Sequence, residues 1–569
     1  MKKLKFNIIL LAMVAVCFTA LRCTKLDSKV YSQIVNENFW QTPEQIAAGK
    51  SPAYAALQGL GGNSGGIYWE NEISTDEMIT PTRGGDWGDG GAWANIWNHA
   101  EKPGNGGQNE AAWNDIFSGI GKCNYIIYTL KGLNPAPPTL KDDLAEMTVL
   151  RSYFYYIGLD LYGNIPYVTN FKQDPTTIVT LPRPQLYDSL VAVVTGALPD
   201  LSIVTDVSKY GKVNKYFGHC LLAKLYLNAE IYTGTPRWAE CIKQCDAVKT
   251  GGFSLMSNYF DNFRDKVQES STENIFMVPF KAGVVPVGGG NYVVVSSLMA
   301  NNAFYTFGQN GMGNNGMSTS KNFYQFYDTT SVYERKTVDG NKNVYRTFND
   351  QRTGQFLVGQ QYVKGISYPQ HQNILFSSSN TDPVGLGPSK PGAIMIYDDQ
   401  SGLPLSYFDT MNLFSNPAPY FRLAGLRNIK YWPEPGGNVG DQISNDVPVF
   451  RLADILLLKA EAELRSGTNL GDALENVNQV RRRAYSGSTA NDWKLSDLTL
   501  EHLYAERARE LAWEMVRRQD MIRFGHFLDA RTIPEKAADN PDKHTYLLPI
   551  PPYVILSNPK IKQNPGYLP

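Results

Sequence analysis

Apolar residues recur at helical spacing through most of the first half of the chain. From Phe39 to Leu57 the series Phe39, Trp40, Ile46, Tyr54 and Leu57 predicts a helix, with Thr42 placed to cap it ahead of Pro43 and Glu44, and Pro52 placed to break or kink it. The same spacing predicts helices over Trp113 to Gly132, Leu144 to Tyr162, Leu186 to Leu198, Tyr216 to Tyr232 and Trp238 to Thr250, the last stopped by Gly251-Gly252. Each apolar stripe needs a neighbour to cover it, which makes these segments helical hairpins. Pairs of this length stack in the manner of tetratricopeptide repeats, although no repeat consensus returns at a fixed spacing.

Two stretches interrupt this rhythm. Between Gly61 and Gly107 there are 12 Gly, and Trp69, Trp87, Trp93 and Trp97 fall among them, which predicts a long loop carrying large rings. From about Glu273 to Pro448 short β-prone runs, such as Ile275 to Phe280 and Tyr292 to Val295, alternate with Gly, Asn and Pro. Helix returns over Val449 to Arg465, Leu470 to Tyr485 and Leu500 to Phe524. The run Tyr546 to Pro552 is extended because its prolines forbid helix.

Composition narrows the function classes. With 53 Lys+Arg against 54 Asp+Glu, and no basic block, the chain lacks the clustered positive charge that nucleic acid requires. Lys2, Lys3 and Lys5 precede an apolar run from Phe6 to Leu21 that is too short to span a bilayer, so residues 1–22 are expected to be a signal peptide. No other segment has the length and apolarity of a span. Cys23 follows that run directly and is the expected lipidation site, although Arg22 stands where such signals favour a small residue. Cys123, Cys220, Cys241 and Cys245 fall in predicted helices. Cys241 and Cys245 share a helix face, yet no His or further Cys pair completes a metal set, so buried free thiols are expected, and no cofactor or metal.

Several stretches together resemble the SusD/RagB family of nutrient-binding outer-membrane lipoproteins, over nearly the whole chain. Asn38-Phe39-Trp40-Gln41-Thr42 is similar to the family's opening, and Leu150-Arg151-Ser152-Tyr153-Phe154-Tyr155-Tyr156 with Leu161-Tyr162-Gly163-Asn164-Ile165-Pro166-Tyr167 to its central helix and turn. The most specific matches are C-terminal: Phe450-Arg451-Leu452-Ala453-Asp454, Glu506-Arg507-Ala508-Arg509-Glu510-Leu511, Arg517-Arg518-Gln519-Asp520-Met521-Ile522-Arg523-Phe524-Gly525, and the closing Leu548-Pro549-Ile550-Pro551. The resemblance implies a mainly α fold, a TPR-like helical-repeat scaffold with a loop-rich face carrying small β-strands. It places one SusD-like domain over 23–569, with helix pairs at about 39–60, 113–250 and 449–525 and the ligand face at about 61–107 and 273–448. It further implies a non-enzymatic lipoprotein, anchored to the outer membrane by its N-terminal lipid and facing the cell surface. Such a protein captures an oligosaccharide or polysaccharide and delivers it to a SusC-like TonB-dependent outer-membrane transporter. In RagB-like members the cargo is a peptide.

The residues themselves point to the loop Thr82 to Trp93. A sugar presents an apolar C–H face and a rim of hydroxyls, so its site needs a flat ring beside carboxylate, amide and guanidinium groups. Trp87, Trp93, Asp86, Asp89 and Arg83 lie together there, Asp76 and Trp69 flank them, and Arg352 is a polar candidate from the irregular half. Asn301 to Tyr305 and the Gly308 to Gly316 loop are further candidates. Against catalysis, Glu506, Glu510 and Glu514 at i,i+4 spacing, with Arg517, Arg518, Asp520 and Arg523 behind them, are expected to be ion-paired within and between helices, and Asp454 is expected to be paired too. Gly62-Asn63-Ser64-Gly65-Gly66 follows a helix and not a strand, and Gly311 to Gly316 lacks a βαβ setting. A glycoside hydrolase would need two carboxylates across a cleft, for which Asp76 with Asp86 or Asp89 are the available set.

Overall fold

The computed structural model describes residues 39–61, 66–104, 107–265, 267, 270–281, 291–309, 313–338, 341–364, 366–367, 372–376, 395–398, 400–409, 411, 420–434 and 443–568. The signal peptide, Cys23 and residues 62–65 and 311–312 of the two glycine motifs lie outside them. The chain divides into residues 1–49 and 50–569. In the first unit the Phe39 and Trp40 rings meet edge to face at 5.5 Å. The Thr42 hydroxyl accepts from the Gln45 N–H at 3.3 Å, as a cap for the helix α1 (Pro43–Ala55), which carries Pro52 within it without ending there.

The second unit is built on helices. After α2 (Gly66–Ile73) and the short α3 (Ala92–Trp97) come α4 (Gln108–Lys131), α5 (Leu140–Leu161), α6 (Arg183–Ala197), α7 (Lys215–Leu227) and α8 (Trp238–Lys249). The irregular half holds α9 (Ala300–Phe307), and then α10 (Leu452–Ser466), α11 (Leu470–Ala484), α12 (Leu500–Leu511) and α13 (Arg517–Phe524) close the scaffold. Each helix covers its neighbour's stripe: α4 packs on α5, α5 on α6, α6 on α7, α7 on α8, α8 on α10, and α10 on both α11 and α12. This is the expected mainly α, TPR-like scaffold. Cys123, Cys220, Cys241 and Cys245 are free and buried in it.

The strands are small. β1 (Asn274–Val278) pairs antiparallel with β5 (Val447–Arg451). A four-stranded sheet runs in the order Ile366–Ser367, β4 (Gln372–Phe376), β3 (Asn341–Phe348), β2 (Ser331–Val338). Four predicted elements differ, one of them the helix expected over Tyr216 to Tyr232, which is α7 and a separate short helix, Ala229–Thr233, with Asn228 between them. The glycine-rich stretch contains α2, all eight of whose residues are buried. A Cβ on Gly66 would lie 1.7 Å from the Gln108 carbonyl, so glycine there permits the contact between α2 and α4. Tyr292 to Val295, expected as strand, opens a single helical turn, Val293–Ser296. The expected helix from Leu500 to Phe524 is two helices, because Trp513 and Met515 adopt left-handed φ of 61° and 58°.

Buried carboxylates impose that break. The Glu77 carboxylate accepts the N–H of Trp513, and Glu72 accepts that of Met515 at 2.5 Å, taking donors that a continuous helix would have used. The charged C-terminal residues are paired as expected, within and between helices. Glu514 meets Lys430 and Arg451. Asp520 meets Arg507 and Arg523, while Arg517 reaches Asp76. Asp454 lies 2.7 Å from Lys224 and 3.2 Å from Arg507. These pairs tie strands and loops to the helices, with Arg451 bridging Glu273, Glu510 and Glu514.

Candidate ligand-binding site

The loop after α2 is folded by its own hairpin. Arg83 N–H donates to the Asp86 carbonyl at 2.9 Å and Asp86 N–H returns to Arg83 at 3.3 Å. Gly84, at φ +70°, sits where a Cβ would come within 2.6 Å of the Phe421 ring, so only glycine fits both the turn and the contact. Trp87 and Asp89 follow with left-handed φ of 58° and 37°, an arrangement that persists only when the surroundings fix it. The Trp87 indole N–H donates to the Asn314 carbonyl at 3.0 Å, and its ring leans on Trp93 at 5.9 Å. Trp93 in turn donates to Asp89 at 2.6 Å and meets Trp69 edge to face at 6.2 Å.

The row of tryptophans therefore runs from inside to outside. Trp69 is 3% exposed, Trp93 8% and Trp97 fully buried beneath the Arg531 guanidinium at 4.5 Å. Trp87 alone of the four is only half-buried, with exposed Asp86 and Asp89 on either side of it in sequence. Arg422 lies 3.6 Å from Asp86 and 3.1 Å from Asp398, joining this loop to the irregular half. Tyr397 precedes Asp398, Tyr420 lies two residues before Arg422, and both side chains are about half exposed, at 49%. The Asn301 amide donates to the Tyr397 carbonyl, and exposed Phe304 and Tyr305 lie one turn further along α9. The two secondary candidate segments are thus joined to the tryptophan loop, through Asn314 and through the neighbours of Arg422.

Arg83 is inside this face, not on it. At 1% exposure it donates to the carbonyls of Gly316 at 2.9 Å, Arg422 at 3.1 Å and Ala424 at 2.8 Å, and to the Ser318 hydroxyl at 2.7 Å. Arg427 binds the same hydroxyl and the Arg422 carbonyl, and lies over the Tyr407 ring at 4.4 Å. Burial and the neighbouring Arg427 charge hold Arg83 well below the usual arginine range, and burial pulls Arg427 down to about 10. The pair clips three loops together from below.

Two other expected contacts are also removed by burial. Arg352 is fully buried and spends its guanidinium on Asp350 at 2.6 Å, Glu506 at 2.8 Å and Glu510 at 3.0 Å. Asp76, 8% exposed, receives both arms of Arg517 at 2.7 Å, which leaves it no free edge to activate a water opposite Asp86 or Asp89. With Trp69 also in the core, the surface candidates reduce to Trp87, Asp86 and Asp89, with Trp93 as their brace. Sequence reasoning missed Arg422, Tyr397 and Tyr420. The triplet Tyr420-Phe421-Arg422, two rings and a cation in a loop-rich region, was the signal that could have found Tyr420 and Arg422. Among the described residues no three His, Cys, Asp or Glu come together as a metal cage, and no helix is long and apolar enough to cross a membrane.

The helical-repeat scaffold that carries this aromatic and carboxylate loop face is shared with known proteins. The SusD family model matches residues 412–567, and proteins of the SusD type match along most of the chain. The starch-binding protein SusD of Bacteroides thetaiotaomicron is 25% identical over 79% of this chain and 76% of its own. SusD-like protein P2 of Formosa agariphila is 22% identical over the full length of both. Surface glycan-binding protein A from Bacteroides thetaiotaomicron, solved in complex with laminarihexaose, shares the fold at a TM-score of 0.66 and 18% identity, over 92% of this chain and 99% of that one. A laminarin-binding SusD-like protein superposes with a TM-score of 0.64 at 18% identity, over 93% of this chain and the whole of the other.

Proposed function

We propose that this protein is a surface glycan-binding lipoprotein that captures an oligosaccharide on the Trp87 face and delivers it to a SusC-like TonB-dependent transporter. The observation that carries the reading is the Trp87 ring itself. It is held in left-handed backbone, fixed through its N–H and its contact with Trp93, and neighboured in sequence by the exposed carboxylates of Asp86 and Asp89, the first of them 3.6 Å from the Arg422 guanidinium. An apolar ring face takes the C–H side of a sugar, while Asp86, Asp89 and Arg422 supply an acceptor and donor set for hydroxyls. Tyr397 and Tyr420 add rings for further sugar units. Relatives named for binding starch and laminarin support a glycan as the cargo.

Residues 1–22 serve as the signal peptide and Cys23 as the lipidated N-terminus that anchors residues 23–569, as one SusD-like domain, at the outer-membrane surface. Binding is expected to be modest, because one fixed platform contributes only a few kcal/mol and release must follow capture. The test is affinity electrophoresis of the purified protein through gels containing starch, laminarin, xylan or mannan, with a casein-derived peptide mixture titrated in parallel. Retardation by one glycan class with no peptide signal supports the reading. Peptide binding with no retardation would replace it with the peptide-uptake alternative.

A further inference from the structure

A cleft of about 790 Å³ opens on the helical scaffold, and none of its lining residues belongs to the Trp87 face. Its volume is that of a small-molecule site. Leu452 and Leu456 of α10 form one wall and Leu255 and Met256 another, with Lys249 at the end of α8 and Gln479 of α11 at the rim.

Three observations define what such a cleft would hold. Its apolar surface is aliphatic, set among polar Ser, Asn, Thr, Gln and Arg side chains: no Trp or Tyr lines it, and the single ring, Phe253, is engaged edge to face with Tyr216 at 5.6 Å. That suits an alkyl chain better than a sugar face. The segment 253–258 spends alternate amides on the protein, Ser254 N–H on the Thr272 carbonyl at 2.9 Å and Met256 N–H on Glu273 at 3.0 Å. Among the described residues the intervening N–H groups of Leu255 and Ser257 have no protein acceptor, which leaves them for water or a ligand.

The third observation is charge. Arg482 is matched by Glu475 at 2.8 Å and Asp492 at 2.6 Å, and Arg483 by Glu273 at 2.9 Å and by Glu510. Lys249, by contrast, forms no ion pair among the described residues: its ammonium meets the Asn476 amide oxygen at 3.4 Å, and the nearby Asp472 carboxylate, which its charge reaches, is already paired with Lys459 at 2.5 Å. One ammonium without an ion pair of its own therefore lines a cleft whose apolar surface is aliphatic. We propose that this cleft is a second ligand site, independent of the glycan face, which binds an aliphatic chain ending in a carboxylate. The chain lies along Leu452, Leu456 and Leu255, and the carboxylate meets Lys249 and the free amides. A short fatty acid and the C-terminal leucine of a peptide share this chemistry.

The test titrates octanoate and N-acetyl-leucine, with octanol and N-acetyl-leucinamide as carboxylate-free counterparts, into the purified protein under ligand-observed NMR. At least one carboxylate should saturate and bind ten-fold or more tightly than its neutral counterpart; octanoate alone assigns a fatty acid, N-acetyl-leucine alone a peptide end. Lys249→Ala should erase the preference, and Ser257→Trp, a change at an exposed position, should block the cleft. Trp87→Ala should alter neither, which separates this site from the glycan reading. Saturation by neither carboxylate, binding that survives Ser257→Trp, or a preference untouched by Lys249→Ala would overturn the proposal.

Discussion

Asp454 shows how a single residue in this chain is to be understood. It lies on the apolar helix α10 at 3% exposure, where an isolated carboxylate would be untenable, and two cations from α7 and α12 meet it there. The neighbouring charges, Lys224 first and then Arg507, outweigh burial and hold its carboxyl below the usual range. Removing one partner of such a group strands the others. Asp454→Ala is expected to cost about 3–5 kcal/mol of stability, measured by urea denaturation, with glycan affinity of the folded fraction unchanged. That the residue would be paired could be foreseen from its apolar surroundings. Its partners could not, because Lys224 and Arg507 lie 230 and 53 positions away in sequence and no spacing rule links them. The same limit applies to Trp69 and Trp87, since an indole in a glycine-rich segment carries no mark of whether it will face the core or solvent.

At the scale of elements, amphipathic periodicity located α4 to α8, α10 and α11 to within a few residues, because each lies on a neighbour that its stripe must cover. The break between α12 and α13 escaped it. Leu511 to Val516 contains neither Gly nor Pro, and its geometry is set from outside by Glu72 and Glu77. That break should carry a pH dependence. Burial pushes the Glu72 carboxyl up from 4.5 to about 8, against the Met515 N–H and Lys430, and with Glu514 adding to the rise; burial likewise holds Glu77 well above its ordinary value. A carboxyl whose folded pKa is raised supports the fold below its unfolded pKa, and that support is lost as pH climbs through the folded value. Stability should therefore fall between about pH 4.5 and pH 8. Glu72→Gln keeps an acceptor for Met515 and cannot ionise. It should raise Tm at pH 8 relative to the unaltered protein and flatten the dependence over pH 5–8, read by thermal melts; an unchanged slope would refute this origin. Glu510 and Asp520, drawn down to about 2 by their arginines, act in the opposite sense and lose their contribution only as pH falls toward that value.

For the molecule as a whole, family motifs and helical periodicity made the scaffold legible, whereas the loop face was legible only as a composition of residue types. The scaffold is encoded by patterns that repeat over tens of residues. The face is assembled from Asp86, Trp87 and Arg422, more than 300 positions apart and clipped together by buried Arg83 and Arg427, and from the neighbours of Asp398, which Arg422 holds. Arg83 and Arg352 carried the right chemistry for a ligand contact, yet both are consumed in holding the structure. The account's central claim is that glycan rests on the one tryptophan of this face that is not buried. It is tested most directly by calorimetric titration of the glycan that retards the protein into the unaltered protein and Trp87→Ala, with thermal melts confirming that both are folded. The account predicts saturable binding that Trp87→Ala weakens at least ten-fold, a loss of about 1.4 kcal/mol or more. Equal affinity in the two folded proteins would contradict it.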